Sequence, residues 1–379
     1  MKKLCYVTTI SATLASFVVE TAKYIHENTD WDITFICDYD EEFEKMLPDY
    51  IHYIPVPMER GISIAGIKAM LQMKKIFQKE KFDLIQYSTP NASLYASLAA
   101  KLAKVPVRLY CQWGMVFVGF QGFKRKIFKL EEKLVCRLST WIEPDSKSNL
   151  NFAHSEGLYP KNKGSVIWNG SASGVSFEKF DITKKEEYRS KVRAEYNIPD
   201  EAFVYGFVGR ITRDKGINEL LEAYKSIMND NTYLLMVGNE ELDDNMNMEL
   251  FNWSKNNSQV IYTGSTNVVE QYLSAMDCYI LPSYREGFGS GVIEAEAMGL
   301  PIIVSDIPGP TDAMEKNETG IVVKKADVES LKSAMSEIRN NENTRKYMSE
   351  NAYVFAKENF EQQQLFKYIL EDRKRLLGE

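Results

Sequence analysis

Short apolar runs alternate with amphipathic segments along this chain, and the alternation starts twice. Leu4–Thr8 reads as a strand, residues 16–28 as a helix, Asp32–Cys37 and His52–Val56 as strands, Ile64–Glu80 as a helix and Asp83–Tyr87 as a fourth strand. Strands separated by helices need crossover connections, and crossovers build parallel sheets covered on both faces. Val107–Gln112 and Trp141–Pro144 continue the pattern. Around Ile167-Trp168-Asn169-Gly170-Ser171-Ala172-Ser173-Gly174 the composition turns small and polar, which marks a domain junction. The rhythm then restarts: strand Phe203–Val208, helix Asn218–Met228, strand Tyr233–Val237, then strands at Val260–Tyr262, Cys278–Leu281 and Pro301–Ser305. The expected fold is α/β, with two doubly wound Rossmann-like domains over 1–167 and 168–355, facing across a cleft, and a final helical pattern over 356–379 within the longer helical run Ser349–Leu377.

The most chemically specific stretch is Glu286-Gly287-Phe288-Gly289-Ser290-Gly291-Val292-Ile293-Glu294. The apolar run Tyr279-Ile280-Leu281 ends at Pro282 just before it, and Val292–Met298 reads as a helix after it. Strand, glycine-rich turn and helix together present free backbone N–H groups to an anion. Gly287, Gly289 and Gly291 let the backbone approach a ligand closely, with Phe288 and Ser290 between them. Two carboxylates eight residues apart, Glu286 and Glu294, can each accept hydrogen bonds from sugar hydroxyls. The pattern fits a nucleotide-sugar, with its diphosphate on the amides and one glutamate on each sugar. A second cluster, Gly209-Arg210-Ile211-Thr212-Arg213-Asp214-Lys215-Gly216, follows the first strand of the second half. Gly209 permits the tight turn, Arg210 offers a forked guanidinium and Lys215 a point charge, enough to neutralise a diphosphate.

Composition removes other classes. In 379 residues, 46 Lys+Arg against 53 Asp+Glu leave a net charge of −7, which argues against nucleic-acid binding. The five cysteines lie far apart with no C-x-x-C pair, as expected for buried thiols in a reducing cytoplasm. Three histidines without metal spacing argue for no metal. Asp38-Tyr39-Asp40 is a D-x-D triplet, but it follows the second strand, far from the phosphate cluster, and reads as a solvated turn. No cofactor is expected. No signal peptide and no 18-residue apolar span is apparent, so the expected location is cytoplasmic.

These residues carry a resemblance. The Glu286/Glu294 pair, the Gly209-Arg210 to Lys215 cluster, Asn169-Gly170, Thr263-Gly264-Ser265 and the run Ala297–Asp306 are similar to retaining glycosyltransferases of family 4, with the GT-B architecture. Ile307–Ala313 resembles the branch that builds bacterial capsule, O-antigen or exopolysaccharide. The resemblance implies an acceptor-binding first domain, a donor-binding second domain and a last helix that crosses back to the first domain. It implies that Arg210 and Lys215 bind the leaving diphosphate, Glu286 the transferred sugar and Glu294 the ribose. Gly209, the turn 287–290 and, flanking the base, Ser265 and Thr266 complete the donor side. The implied partners are a nucleoside-diphosphate-sugar, with UDP as the expected nucleotide, and a lipid-linked glycan acceptor.

The first domain departs from the family pattern. The first strand–helix turn reads Thr9-Ile10-Ser11-Ala12-Thr13-Leu14-Ala15-Ser16 instead of carrying two glycines, and Trp113-Gly114 stands where a His-Gly is common. Acceptor-side candidates are Ser11, Trp113, Gly114 and Asn91, the last reading first as a helix cap. No general base is assigned. A retaining transfer tolerates that, because the departing phosphate oxygen can take the acceptor's proton.

Two readings are open for 115–130. Phe123, Ile127, Leu130 and Leu134 share a helical face beside Lys124, Arg125, Lys126 and Lys129. That is either a helix lying peripherally on the inner face of an anionic membrane, together with the long apolar run Met115–Phe120 before it, or an amphipathic helix whose apolar face, Ile127 and Leu134 above all, joins the core. Two rival functions also remain beside the transferase: a sugar-nucleotide epimerase of the same fold, and a non-catalytic sugar-nucleotide-binding subunit.

Overall fold

A computed structural model describes all residues except 59, 60, 62 and 244. The chain forms two compact units, Met1–Ser173 with Gln363–Glu379, and Gly174–Gln362.

In the first unit the elements run β1 (Lys3–Val7), α1 (Ser11–Phe17), α2 (Val19–Glu27), β2 (Asp32–Cys37), α3 (Glu41–Met46), β3 (Ile51–Pro55), α4 (Ile64–Glu80), β4 (Leu84–Tyr87), α5 (Pro90–Leu102), β5 (Val107–Gln112), α6 (Gly122–Leu138), β6 (Trp141–Pro144) and α7 (Lys147–Ser155). The sheet is parallel, in the order β3-β2-β1-β4-β5-β6. Successive strand residues point to opposite faces, and each face has its own core. Cys5 and Val7 pack with Met73, Phe77, Tyr95 and Val135 of α4, α5 and α6. Leu4 and Tyr6 pack with Leu14, Ala22, Ile25 and Phe43 of α1, α2 and α3.

The second unit runs α8 (Lys185–Glu195), β7 (Phe203–Val208), α9 (Ile217–Ile227), β8 (Thr232–Val237), α10 (Met248–Lys255), β9 (Val260–Gly264), α11 (Val269–Ala275), β10 (Cys278–Leu281), α12 (Ser290–Ala297), β11 (Ile302–Ser305), β12 (Gly320–Val323), α13 (Val328–Asn340) and α14 (Glu342–Phe360). Its parallel sheet has the order β12-β11-β10-β7-β8-β9. The strand order reverses between β7 and β10, so the chain runs on from those two neighbours toward opposite edges of the sheet, to β8 and to β11. That is where doubly wound sheets bind ligands.

Several boundaries differ from the sequence reading. The first helix begins at Ser11 and breaks at Val18, so most of the turn read over 9–16 is helical: Ser11, Ala12 and Ala15 tolerate the helix well. Asp38-Tyr39-Asp40 is a solvated turn after β2, with Asp38 and Tyr39 exposed, and its last residue, Asp40, has a further structural role. Asp40 caps α3, accepting from the Phe43 N–H, and takes a 2.5 Å hydrogen bond from the Ser11 hydroxyl; these bonds hold its carboxyl below the usual range. Thr89 occupies the N-cap of α5, so Asn91 lies inside the first turn and is not its cap.

The units divide at Ser173/Gly174 rather than 167/168, because the Ser171 N–H bonds the Asp145 carbonyl of the first unit. The run 349–377 is two helices, α14 and α15 (Gln362–Leu377), and the first unit regains the chain only from Gln363. Residues 356–362 therefore stay with the second unit, where Gly174, Val175 and Phe360 pack together. In the first unit α15 buries Leu370 in a sheet-face core, and Leu365, Phe366 and Ile369 pack on Ile167. Its Arg373, 1% exposed, forks onto Glu143 of β6 at 2.5 and 3.1 Å and reaches Gln86 of β4.

The apolar face of α6 does not join the core. Phe123 is 77%, Leu130 67%, Ile127 43% and Leu134 40% exposed. The inward face of this helix is formed by Val135 and Cys136, together with Glu132, which accepts from the Tyr110 hydroxyl and the Gln112 amide. The run before α6 behaves in the opposite way, with Met115 and Phe117 buried in the core. Among the described residues no helix is long and apolar enough to cross a membrane.

Candidate active site

The Arg210–Lys215 loop leaves the carboxyl end of β7, and the Glu286 loop leaves that of β10 beside it. Residues 213–215 form one 3₁₀ turn that Gly216 closes in the left-handed region, φ 72°. A Cβ at Gly216 would stand 2.1 Å from the Pro282 carbonyl oxygen, so the absence of a side chain lets the two loops touch. They are then stitched together. The Tyr284 N–H bonds the Asp214 carbonyl at 2.8 Å, and Arg285 donates two bonds to one Asp214 oxygen. The Arg213 guanidinium covers the Tyr284 ring, and Glu219 accepts from both.

The stitching brings the Lys215 ammonium to 2.6 Å from Glu286, and both side chains are largely enclosed. The Ser283 hydroxyl donates to the same Glu286 oxygen at 2.6 Å. Arg210 lies apart on the surface, paired at 2.7 Å with Glu241 in the loop after β8. Gly209 opens the Arg210–Lys215 loop at φ 149°.

Gly289 is left-handed, φ 88°, and is the N-cap of α12 without a side-chain cap, so the first N–H groups of α12 have no capping side chain. The Phe288 side chain points inward and packs edge-on against Phe360. Helix α12 starts at Ser290, two residues earlier than its apolar pattern suggests. Glu294 sits on its second turn. Burial raises its pKa; Lys179 opposes that shift and Glu270 adds to it. Beneath the turn lies Tyr279, buried, whose hydroxyl would meet a Cβ at Gly291 at 2.4 Å. Burial and then the charges of Glu286 and Glu294 push that hydroxyl's pKa well up, so it stays protonated. Ser265 and Thr266 follow β9, and the Thr266 hydroxyl accepts from the Val268 N–H.

The first-unit candidates lie past the carboxyl ends of their strands. Ser11 is engaged with Asp40. The Trp113 ring stands 5.4 Å from Phe17, and Gly114 is at φ 124°. Asn91 is in the first turn of α5.

Sequence reasoning missed Ser283, Tyr279, Lys179 and Glu241. Only Tyr279 leaves a local trace, as a hydroxyl in an otherwise apolar strand.

This arrangement defines a class: a two-unit parallel α/β protein with a paired lysine and glutamate and a glycine-capped helix N-terminus at a strand-order reversal. Known proteins sharpen it. The family model for glycosyl transferases group 1 matches residues 189–355, and the glycosyl transferase 4-like model matches 3–142. The capsular polysaccharide biosynthesis glycosyltransferase CapM of Staphylococcus aureus is 28% identical over 342 residues, 89% of this chain and 88% of CapM. An Escherichia coli UDP-Gal:alpha-D-GlcNAc-diphosphoundecaprenol alpha-1,3-galactosyltransferase is 28% identical over 81% of this chain and 80% of its own. Among solved structures, Anabaena HepE in complex with UDP and glucose superposes with a TM-score of 0.80 at 16% identity, covering 99% of this chain and all of HepE. WaaG, a glycosyltransferase involved in lipopolysaccharide biosynthesis, gives 0.75 at 15% identity, covering 98% and 99%. The chain belongs to glycosyltransferase family 4, of GT-B architecture, in the branch that holds these bacterial surface-polysaccharide enzymes.

Proposed function

We propose that this glycosyltransferase moves a sugar, with retention of anomeric configuration and without a metal, from a UDP-sugar to a hydroxyl of a growing lipid-linked bacterial surface glycan. The observation that carries this reading is the Lys215–Glu286 contact at 2.6 Å: a phosphate-seeking cation beside a sugar-seeking carboxylate, at the mouth of an amide-rich turn. Two relatives support the donor and acceptor classes by name. The E. coli enzyme is named for a UDP-Gal donor and an alpha-D-GlcNAc-diphosphoundecaprenol acceptor, and a Campylobacter jejuni relative, 26% identical over 90% of each chain, for a diphospho-undecaprenol-linked sugar.

In this reading the second unit binds the donor and the first the acceptor, where Ser11, Asn91, Trp113 and Gly114 are candidates. Arg210, Lys215 and the amides of 287–290 hold the diphosphate, Gly209 opens the loop, and Ser265 and Thr266 flank the base. Glu294 accepts from the ribose hydroxyls, and Glu286 from those of the transferred sugar. The acceptor oxygen attacks the anomeric carbon on the face the phosphate leaves, the carbon–phosphate oxygen bond breaks, and the departing oxygen takes the acceptor's proton. Positioning and fixed charge carry the acceleration. Two enclosed or forked cations and a helix N-terminus offer the positive potential that a metal would otherwise supply.

The exposed stripe Phe123, Ile127, Leu130 and Leu134, with the exposed Lys124 and Lys126 beside it, supports seating on an anionic membrane, where a lipid-linked acceptor resides. Arg125 and Lys129 are paired with Glu156, so they add little net charge there.

Transfer from UDP-sugars to a diphosphoundecaprenol-linked sugar, assayed in excess EDTA with the product linkage read by NMR, tests the whole reading. Retained configuration at full rate is expected. A Mg²⁺- or Mn²⁺-restorable loss of activity or an inverted linkage would overturn the corresponding part.

A further inference from the structure

The cation that should hold the diphosphate is already occupied. Lys215 spends its charge on Glu286 at 2.6 Å, with side-chain exposures of only 18% and 12%. Arg210 has a carboxylate partner too, but that pair is 58% and 49% exposed, so water and salt screen it. The enclosed pair is the one whose charges strongly feel each other.

Resting on the donor reading above, we propose that Glu286 competes with the diphosphate for Lys215, and that the hydroxyls of the transferred sugar relieve this competition, so that the site discriminates the nucleotide-sugar from the spent nucleoside diphosphate. A carboxylate offers two oxygens to donors. One Glu286 oxygen takes both the Lys215 ammonium and the Ser283 hydroxyl. A bound sugar supplies further donors, which stabilise the carboxylate without the lysine and leave the ammonium to the phosphates. Once the sugar has been transferred those donors are gone. Glu286 then returns to Lys215, and the diphosphate loses its share of that charge. The ammonium could touch both partners with its three N–H groups, but a single positive charge shared between a carboxylate and a diphosphate binds each less well than it binds either alone. The stitching between the loops keeps the competitors in reach: Gly216 against the Pro282 carbonyl, and Arg285 on Asp214, leave little room for Lys215 to withdraw from Glu286.

The test is a double-mutant cycle read by calorimetric titration with UDP, repeated with GDP. Glu286→Gln keeps the shape and the capacity to accept from Ser283 but removes the competing charge. It is expected to tighten UDP at least fivefold over the parent. In the Lys215→Ala background the same substitution is expected to change UDP affinity less than twofold. Glu286→Ala carries the same expectations should the glutamine variant fail to fold. Unchanged or weakened UDP binding overturns the proposal, and so does equal tightening with and without Lys215, which would mean plain repulsion of the diphosphate by Glu286. A parent chain that binds neither nucleotide overturns the donor reading itself and this inference with it, whereas binding by the parent without the cycle overturns only this inference.

Discussion

At the scale of single residues, enclosure separates side chains of the same type. Lys215 and Arg210 come from one loop, yet only Lys215 is held in an enclosed pair. Lys215→Ala is expected to lower kcat by about two to three orders of magnitude, since losing one preorganised donor opposite developing charge costs roughly 3–4 kcal/mol. A steady-state value within a few-fold of the parent would remove Lys215 from the mechanism. Glu132 makes a second residue-scale case. Burial raises its pKa from the ordinary 4.5 to about 7, against the Gln112 and Tyr110 hydrogen bonds that favour its charged form. The folded chain therefore keeps a proton there that the unfolded chain releases near 4.5. Stability drawn from this group falls as pH rises from about 4.5 to about 7 and is level above. Glu132→Gln should raise the melting temperature at pH 8 more than at pH 5, and equal shifts at both would refute the sign.

At the scale of elements, the loops and α6 show what local pattern conveys. Strand, glycine turn and helix at 279–297 are readable because each depends on neighbours in the chain: a buried apolar run, a left-handed glycine and a helix that follows. The close fit of the loops is not local. Gly216→Ala would drive a Cβ into the Pro282 carbonyl and hold a non-glycine residue at φ 72°. It should cost about 1–3 kcal/mol in urea denaturation and weaken nucleoside-diphosphate binding as Lys215 shifts. The amphipathic pattern of α6 was legible, but its periodicity is the same whether the apolar stripe faces a core or a lipid surface. Since Phe123 and Leu130 are exposed, Phe123→Ser with Leu130→Ser should leave the melting temperature unchanged. Flotation with phosphatidylglycerol vesicles should fall by at least about tenfold, each such side chain contributing about 1.5–3 kcal/mol when buried. Unaltered flotation would leave the stripe without a membrane role.

At the scale of the whole molecule, the chain's last helix belongs to its first unit, and Arg373 shows how. Its guanidinium is buried among Glu143, Asp372 and Gln86, which pushes its pKa further above its ordinary value despite the cost of burial. A buried pair is costly to break because the partner is stranded. Arg373→Ala should destabilise the first unit by about 3–5 kcal/mol in chemical denaturation, and a loss below about 1 kcal/mol would mean that water replaces the guanidinium.

The amino-acid sequence by itself determined the repeated strand–helix alternation, hence two parallel sheets, and the glycine-spaced carboxylates of the turn after β10. These are short-range properties: apolar periodicity, and the permissiveness of glycine at a turn. Tertiary structure alone decided that Glu286 faces Lys215, 71 positions away, that Arg373 finds Glu143, 230 positions away, and that the α6 stripe stays exposed. Each of those outcomes depends on which distant surfaces the packed sheets bring together. An isolated lysine, arginine or apolar stripe has the same local pattern whatever it will meet.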